Sequence, residues 1–209
     1  MKQPDLILFA HEPRPGRVKT RLMPHRSPEQ AAEIAAFMLR ATVERATSSW
    51  PGEIFLYCAP DTGHPLFHGL AREFGVHLAA QQGAEPCERM LNALRAHTAR
   101  GRGGAGVLCC DVPHCNGEFL DQANEWLVRG LNVLGPTDDG GYYFLGLQQA
   151  RPELFDGVRR DSPALLREIL ERAQRHGIYF EMLPALRDVD APEDLWLVAQ
   201  KYAPLRQFL

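Results

Sequence analysis

Short apolar runs alternate with amphipathic stretches through the first half of the chain. Leu6–Ala10, Ile54–Cys58, Val76–Ala79 and Val107–Cys110 are nearly continuous in apolar residues. That pattern predicts strands of a parallel sheet covered on both faces. Helical spacing fills the intervals. Between about residues 28 and 47 the apolar positions Ala32, Ile34, Ala35, Met38, Leu39 and Val43 fall near one helix face, and further helices are predicted at about 64–74 and 85–98. Strand and helix in alternation imply right-handed crossovers and a Rossmann-like three-layer α/β sandwich.

After Asp111 the rhythm changes. A helix is predicted at about 117–129 and a strand at Leu131–Gly135, followed by the turn signal Asp138-Asp139-Gly140-Gly141 and the aromatic strand Tyr142–Leu145. So close a return predicts an antiparallel addition, making the sheet mixed but mostly parallel. A helix at about 162–176, a strand at about 178–183 and a final helix at about 192–202 complete the expectation. Neither a repeat nor a linker divides the 209 residues, so a single domain spanning 1–209 is expected.

Composition narrows the function classes. With 23 Lys+Arg against 26 Asp+Glu the formal charge is −3, which argues against a general nucleic-acid-binding surface. No apolar run approaches the ~20 residues of a membrane span, so no membrane partner is expected. Five cysteines, an odd number behind an amino-terminal stretch too short to be a secretion signal, predict a reducing, cytoplasmic setting. The segment Cys109-Cys110-x-x-x-His114-Cys115 lacks the Cys-x-x-Cys spacing of zinc sites and reads better as small core thiols. The dispersed Trp50, Trp126 and Trp196 read as packing residues.

The average charge conceals a segregation. Between Pro13 and Pro28 stand Arg14, Arg17, Lys19, Arg21 and Arg26 with no acidic residue. This loop directly follows the first strand, and ligands of open α/β sheets bind beyond the carboxyl ends of the strands. Gly16 there permits backbone amides to approach a phosphate, while Arg17, Lys19 and Arg21 neutralise its charge. The spacing is neither that of a P-loop nor that of a dinucleotide fingerprint; the alternative is a solvated, proline-stiffened basic loop.

Carboxylates cluster elsewhere. Asp111 follows the strand Val107–Cys110, where it could hold Mg²⁺ beside nucleotide phosphates or close an Asx turn. Asp188, Asp190, Glu193 and Asp194 fall within seven positions. Asp190-Ala191-Pro192-Glu193 fits a capping box, with Glu193 and Asp194 serving the helix dipole. Asp188 and Asp190 could equally reach a metal shared with Asp111. Asp139, Gly140 and Gly141 form a turn, or allow close approach to a ligand.

Together these segments resemble the nucleotide-diphospho-sugar transferase fold, and more closely the bacterial rSAM/selenodomain-associated transferases. The family pattern Pro-Gly-x-Val-Lys-Thr-Arg-Leu stands at Pro15–Leu22. Gly-Pro-x-x-Asp-Gly-Gly-Tyr-Tyr stands at Gly135–Tyr143, and Asp-Val-Asp-x-Pro-x-Asp-Leu at Asp188–Leu195. A more distant similarity links the fold to molybdenum-cofactor nucleotidyltransferases. The resemblance implies phosphate contacts from Lys19 and Arg21, metal ligation by Asp111 and Asp190, and a cleft lined by Asp139, Gly140 and Gly141. It also implies a helix-start segment Glu88-Arg89-Met90 that brings Arg89 near the substrate.

Three positions depart from the family pattern: Cys109-Cys110 before Asp111, Cys87 before Glu88, and Arg160-Asp161-Ser162 in place of Trp-Gly-Thr. The expected activity is transfer from a nucleoside triphosphate or nucleotide-sugar to a small acceptor with Mg²⁺ or Mn²⁺, nucleotidyl transfer favoured over glycosyl transfer. The alternative is a nucleotide-binding module without catalysis that serves a partner enzyme.

Overall fold

In a computed structural model describing residues 2–23, 25–158 and 162–209, thirteen longer elements follow one another along the chain. They are β1 (Asp5–His11), α1 (Pro28–Ser49), β2 (Ile54–Ala59), α2 (Pro65–Phe74), β3 (His77–Ala80), α3 (Pro86–Thr98) and β4 (Ala105–Cys109). After these come α4 (Gly117–Val128), β5 (Asn132–Pro136), β6 (Tyr142–Leu147), α5 (Leu165–Arg175), β7 (Phe180–Met182) and α6 (Pro192–Lys201). The strands form one seven-stranded sheet in the order β3-β2-β1-β4-β6-β5-β7. Strand β6 runs antiparallel to both β4 and β5, and the other described pairings are parallel. The predicted mixed, mostly parallel α/β sandwich is therefore the observed fold, with the antiparallel strand inserted between β4 and β5.

Alternation along β1 divides the core. Leu6, Leu8 and Ala10 pack with α1, α2 and α4 residues such as Val43, Phe67 and Leu120 on one face. Ile7 turns to the other, against Met90 and Leu94 of α3 and Ile169 of α5. Successive strand side chains point to opposite faces, so a near-continuous apolar run needs both covered. At the amino end of β1 the fully buried Asp5 carboxylate accepts from Arg100 at 2.6 Å and lies 2.8 Å from His97 Nδ1. A buried carboxylate requires such partners, and this polar cluster lies at the end of the sheet away from the carboxyl termini of the parallel strands.

Sheet order sets where a ligand crevice opens. From β1 the chain builds outward through β2 and β3, then returns to place β4 on the other side of β1. The loops after β1 and β4 diverge at this switch point, where open α/β sheets leave a crevice. Two loops that face it, the one after β1 and the one before α6, are pinned from below. Leu22, within the basic segment, and Val189, between Asp188 and Asp190, are fully buried in one cluster with Ile34, Met38, Leu195 and Val198. Helix α1 is set by Ser27, whose Oγ accepts from Gln30 N–H while Gln30 Oε1 accepts from Ser27 N–H, with Pro28 in its first turn.

None of the described helices is long and apolar enough to cross a membrane. Trp50 is buried and donates its indole N–H to Pro4 O, as a packing residue should. Trp196 is instead 55% exposed, a correction to the packing role expected of it: its position on α6 points away from the Leu195–Val198 face. Replacing Leu22 with Ala should lower unfolding stability by about 2–5 kcal/mol through the cavity left beneath the basic loop. Equilibrium denaturant unfolding measures this directly.

Candidate active site

A cleft of about 440 Å³ opens at the switch point. Arg17, Lys19, Arg21, Arg89, Asp111 and Asp190 all line it, so cations and anions far apart in sequence face one space. Its floor is the carboxyl ends of β1 and β4, with Phe9, Ala10, Cys109 and Cys110. One wall is α1, through Ala35, Met38 and Leu39.

Lys19 stands at the centre of the charge arrangement. Its Nζ donates to Asp190 Oδ1 at 2.7 Å and lies 3.5 Å from Asp111 Oδ2. Burial opposes the ammonium's charge, but Asp111 and Asp190 outweigh it and hold the pKa above its ordinary range. Lys19 also has φ 45° and ψ 42°, and among the described residues it is the one non-glycine with positive φ. A β-carbon makes that conformation unfavourable by about 1–2 kcal/mol. Sparsely populated conformations persist where surrounding contacts over-determine them, and the two ion pairs do so here.

The carboxylates converge from two loops. Asp111, Asp188 and Asp190 each offer a ligand oxygen, and the three oxygens lie within 4.8 Å of one another. The loops are stitched together by the Val189 N–H, which donates to Asp111 O at 2.9 Å. Asp194 caps α6, its carboxylate accepting from the N–H groups of Ala191 and Asp190. The capping carboxylate predicted at Asp190 is thus supplied by Asp194, because α6 starts one residue later, with Ala191 at the N-cap. This leaves the Asp190 side chain turned toward Lys19. Arg187 bridges Asp194 at 3.0 Å and Asp138 at 3.4 Å, holding the acidic loop against the loop after β5. Asp188 is pushed up to about 7 by burial and by repulsion from Asp111, Asp139 and Asp190.

The remaining predicted residues divide. Gly16, at φ 75°, turns the basic loop, in which Arg17 N–H donates to Arg14 O. Arg21 lies 3.5 Å from Asp190 Oδ2 and is mostly exposed. Arg14 pairs with Glu12 instead, and Arg26 donates to Phe208 O, so these two cations of the loop are engaged elsewhere. Arg89 donates to the carbonyls of Gly83 and Ala84, bracing the loop ahead of α3 while lining the cleft.

Asp139, Gly140 and Gly141 form the turn between β5 and β6. The Asp139 carboxylate accepts from Thr137 Oγ1 at 2.6 Å and Gly141 N–H at 3.1 Å. Gly140 has φ 91°, and a Cβ there would meet Pro163 O at 2.2 Å. The close approach these glycines permit is therefore to another part of the chain, and the cleft lining does not include them.

Gln81 is a lining residue that motif reading missed. Its Nε2 donates to Ala10 O and Tyr57 O, joining the ends of β1 and β2. Its one legible signal is position, a polar residue just past β3. Burial, with Asp111 adding to it, raises the Cys110 thiol well above its ordinary range, and burial pushes Cys115 up to about 12, which disfavours the thiolate at both. Of the departures from the family pattern, Arg160 and Asp161 lie outside the described residues.

A family model described as "Uncharacterized protein conserved in bacteria (DUF2064)" matches residues 42–162. The chain belongs to the DUF2064 family. The match spans Arg89, Asp111 and Asp139–Gly141, whereas Lys19 and Asp190 lie on either side of it. No curated protein matched the sequence.

Among solved structures, a provisionally named nucleotide-diphospho-sugar transferase from Desulfovibrio desulfuricans G20 is similar at TM-score 0.84 and 24% identity. That likeness covers 100% of this chain and 99% of that one. CMP:2-keto-3-deoxy-manno-octonic acid synthetase complexed with CTP is similar at TM-score 0.56 and 14% identity, covering 97% and 99%. Rv0371c of Mycobacterium tuberculosis H37Rv in complex with manganese is similar at TM-score 0.51 and 17% identity, covering 100% of both chains. These likenesses establish that this DUF2064 protein has the nucleotide-diphospho-sugar transferase fold.

The raised Asp188 has a stability consequence in the metal-free protein. Its carboxyl changes from an ordinary 3.8 to about 7 in the fold, so the folded state keeps the proton that the unfolded chain releases. Stability is then lost as pH rises from about 4 to about 7. Asp188→Asn should be neutral near pH 4 and stabilising by about 1–2 kcal/mol at pH 8, after screening at this half-buried position. Denaturant unfolding at the two pH values, in chelator, tests it.

Proposed function

We propose that this cleft binds a nucleotide donor with a divalent cation and transfers part of it to a small acceptor, within a single transferase domain. The observation that carries the reading is the convergence of three cations, Arg17, Lys19 and Arg21, and three carboxylates, Asp111, Asp188 and Asp190, on the β1/β4 switch point. A triphosphate carries a charge of about −4, which a basic loop and a divalent ion neutralise together. That demand exceeds what the diphosphate of a nucleotide-sugar makes, so nucleotidyl transfer is favoured over glycosyl transfer.

Hard carboxylate oxygens gathered within 4.8 Å of one another are the kind of donor set that Mg²⁺ or Mn²⁺ takes, and the Lys19 ammonium already stands among them as a cation. Asp111 and Asp190, with Asp188 beside them, would hold the ion. When bound it would supply charge neutralisation at the phosphates. The chain's own residues bind and orient: Arg17 and Arg21 grip phosphate oxygens, and Arg89 steadies the loop on the far side of the cleft. The reaction relies on positioning and electrostatics, the acceptor oxygen attacking the donor directly. In nucleotidyl transfer it bonds to the α-phosphorus and pyrophosphate leaves; in glycosyl transfer it bonds to the anomeric carbon and a nucleoside diphosphate leaves.

A thermal-shift screen of nucleoside triphosphates and nucleotide-sugars, with and without Mg²⁺ or Mn²⁺, tests the reading. A donor at about 100 times its Kd stabilises the fold by about 2.7 kcal/mol. Metal-dependent stabilisation that Asp111→Ala and Asp190→Ala each remove is the expected outcome, and no shift with any donor overturns the proposal. Pyrophosphate release on adding an acceptor marks nucleotidyl transfer, and nucleoside diphosphate release marks glycosyl transfer. Binding without either product across an acceptor panel would favour a nucleotide-binding module. Lys19→Ala should weaken triphosphate binding about 10–100-fold, as loss of a charged hydrogen bond does, and nucleoside binding far less. Calorimetric titration of both ligands reads the difference.

A further inference from the structure

The most buried charge contact of the cleft joins two groups with competing assignments. Lys19 Nζ is 2.7 Å from Asp190 Oδ1 and 3.5 Å from Asp111 Oδ2, yet these carboxylates are the ones placed to hold a divalent ion. Two ligand oxygens of one Mg²⁺, each at about 2.1 Å, lie at most about 4.2 Å apart, and the three acidic residues present theirs within 4.8 Å. The ammonium therefore stands where a bridging cation would, at hydrogen-bonding rather than coordination distance. A divalent ion bonded to both oxygens would face that ammonium at short range with like charge.

Lys19 has somewhere else to go. Arg17 and Arg21 line the same cleft on either side of it in sequence, and the 15% exposure of its side chain shows that it already reaches open space. The left-handed backbone at Lys19 aims it at the carboxylates, and the flexible four-carbon stem allows the ammonium to swing without moving the loop.

Resting on the metal and phosphate assignments above, we infer that Lys19 is an exchangeable internal cation. In the metal-free protein it neutralises Asp111 and Asp190. When a divalent ion binds, it takes these carboxylates and releases the ammonium into the cleft, where it serves the phosphates. Metal binding thereby prepares the phosphate site, so the ion and the donor's phosphates bind cooperatively. Because the coupling is an equilibrium property it is reciprocal: a group that draws Lys19 away tightens metal binding by the same factor.

The chain has three lysines, Lys2, Lys19 and Lys201, and the other two are exposed, so each serves as a reference for the third. Competitive acetylation of the native protein by acetic anhydride, read by peptide mass spectrometry, reports the freedom of each amine. Adding Mg²⁺ should raise labelling of Lys19 about fivefold or more, the lower end of typical coupling, with Lys2 and Lys201 unchanged. Lys19→Met, which keeps the stem and loses the charge, should bind Mn²⁺ alone more tightly than the wild type by a similar factor in calorimetry.

Lys19 labelling that stays constant or falls while Mn²⁺ binds overturns the exchange and leaves the metal site standing; a static ion pair beside the metal gives that result. Failure of both wild type and Lys19→Met to bind Mn²⁺ overturns the metal assignment and the exchange with it. Binding by Lys19→Met in the absence of wild-type binding overturns the exchange as well, because the ammonium then occludes the site and is not displaced by the ion.

Discussion

Three carboxylates whose nearest oxygens lie within 4.8 Å of one another repel, and the rest of the site is arranged around relieving that repulsion. The Lys19 ammonium does most of it, bonded to Asp190 and near Asp111. Asp188 takes the remainder by tending to keep its proton. Two like charges in a partly desolvated site cannot both ionise freely, so the cluster demands a cation, whether from the chain or from solution. Lys19, in a left-handed backbone conformation, provides one.

Such an arrangement survives only if the loops carrying it cannot drift apart. Leu22 and Val189, one from each loop, are buried in a common apolar cluster with α1 and α6. The Val189 amide ties the acidic loop to the carbonyl of Asp111, and Arg187 ties it to Asp138 and Asp194. Apolar burial supplies the holding energy and the hydrogen bonds supply the register. The charged groups are consequently presented on rigid supports, which is what positioning and electrostatic stabilisation require.

Much of this was legible along the chain because the signals are local. Strand boundaries fall where apolar runs meet Pro, Gly or charge, and α1 begins at Pro28, where the apolar spacing placed its start. Position after a strand located the basic loop and Asp111, since strand carboxyl ends face the crevice in this fold class. Other features were not local. Five cations stand between Pro13 and Pro28, and nothing in their spacing separates Arg17, Lys19 and Arg21, which line the cleft, from Arg14 and Arg26, which bond to Glu12 and Phe208. Trp196 and Leu195 are neighbours on α6 with opposite exposures, a distinction set by what packs against the helix.

The same division answers the segregation of charge by segment. By itself the sequence determined that this is a mixed α/β sandwich, that its cations gather after the first strand, and that its carboxylates gather after the fourth and before the last helix. These follow from periodicity, capping and composition, each readable within a few residues. Only the tertiary structure decided that Lys19 meets Asp190 across 171 positions of chain, that β6 inserts between β4 and β5, and that Asp139 closes its own turn. Such contacts are chosen by sheet order and by the shared apolar cluster beneath the loops, because chain entropy lets distant residues meet only where packing holds both in place.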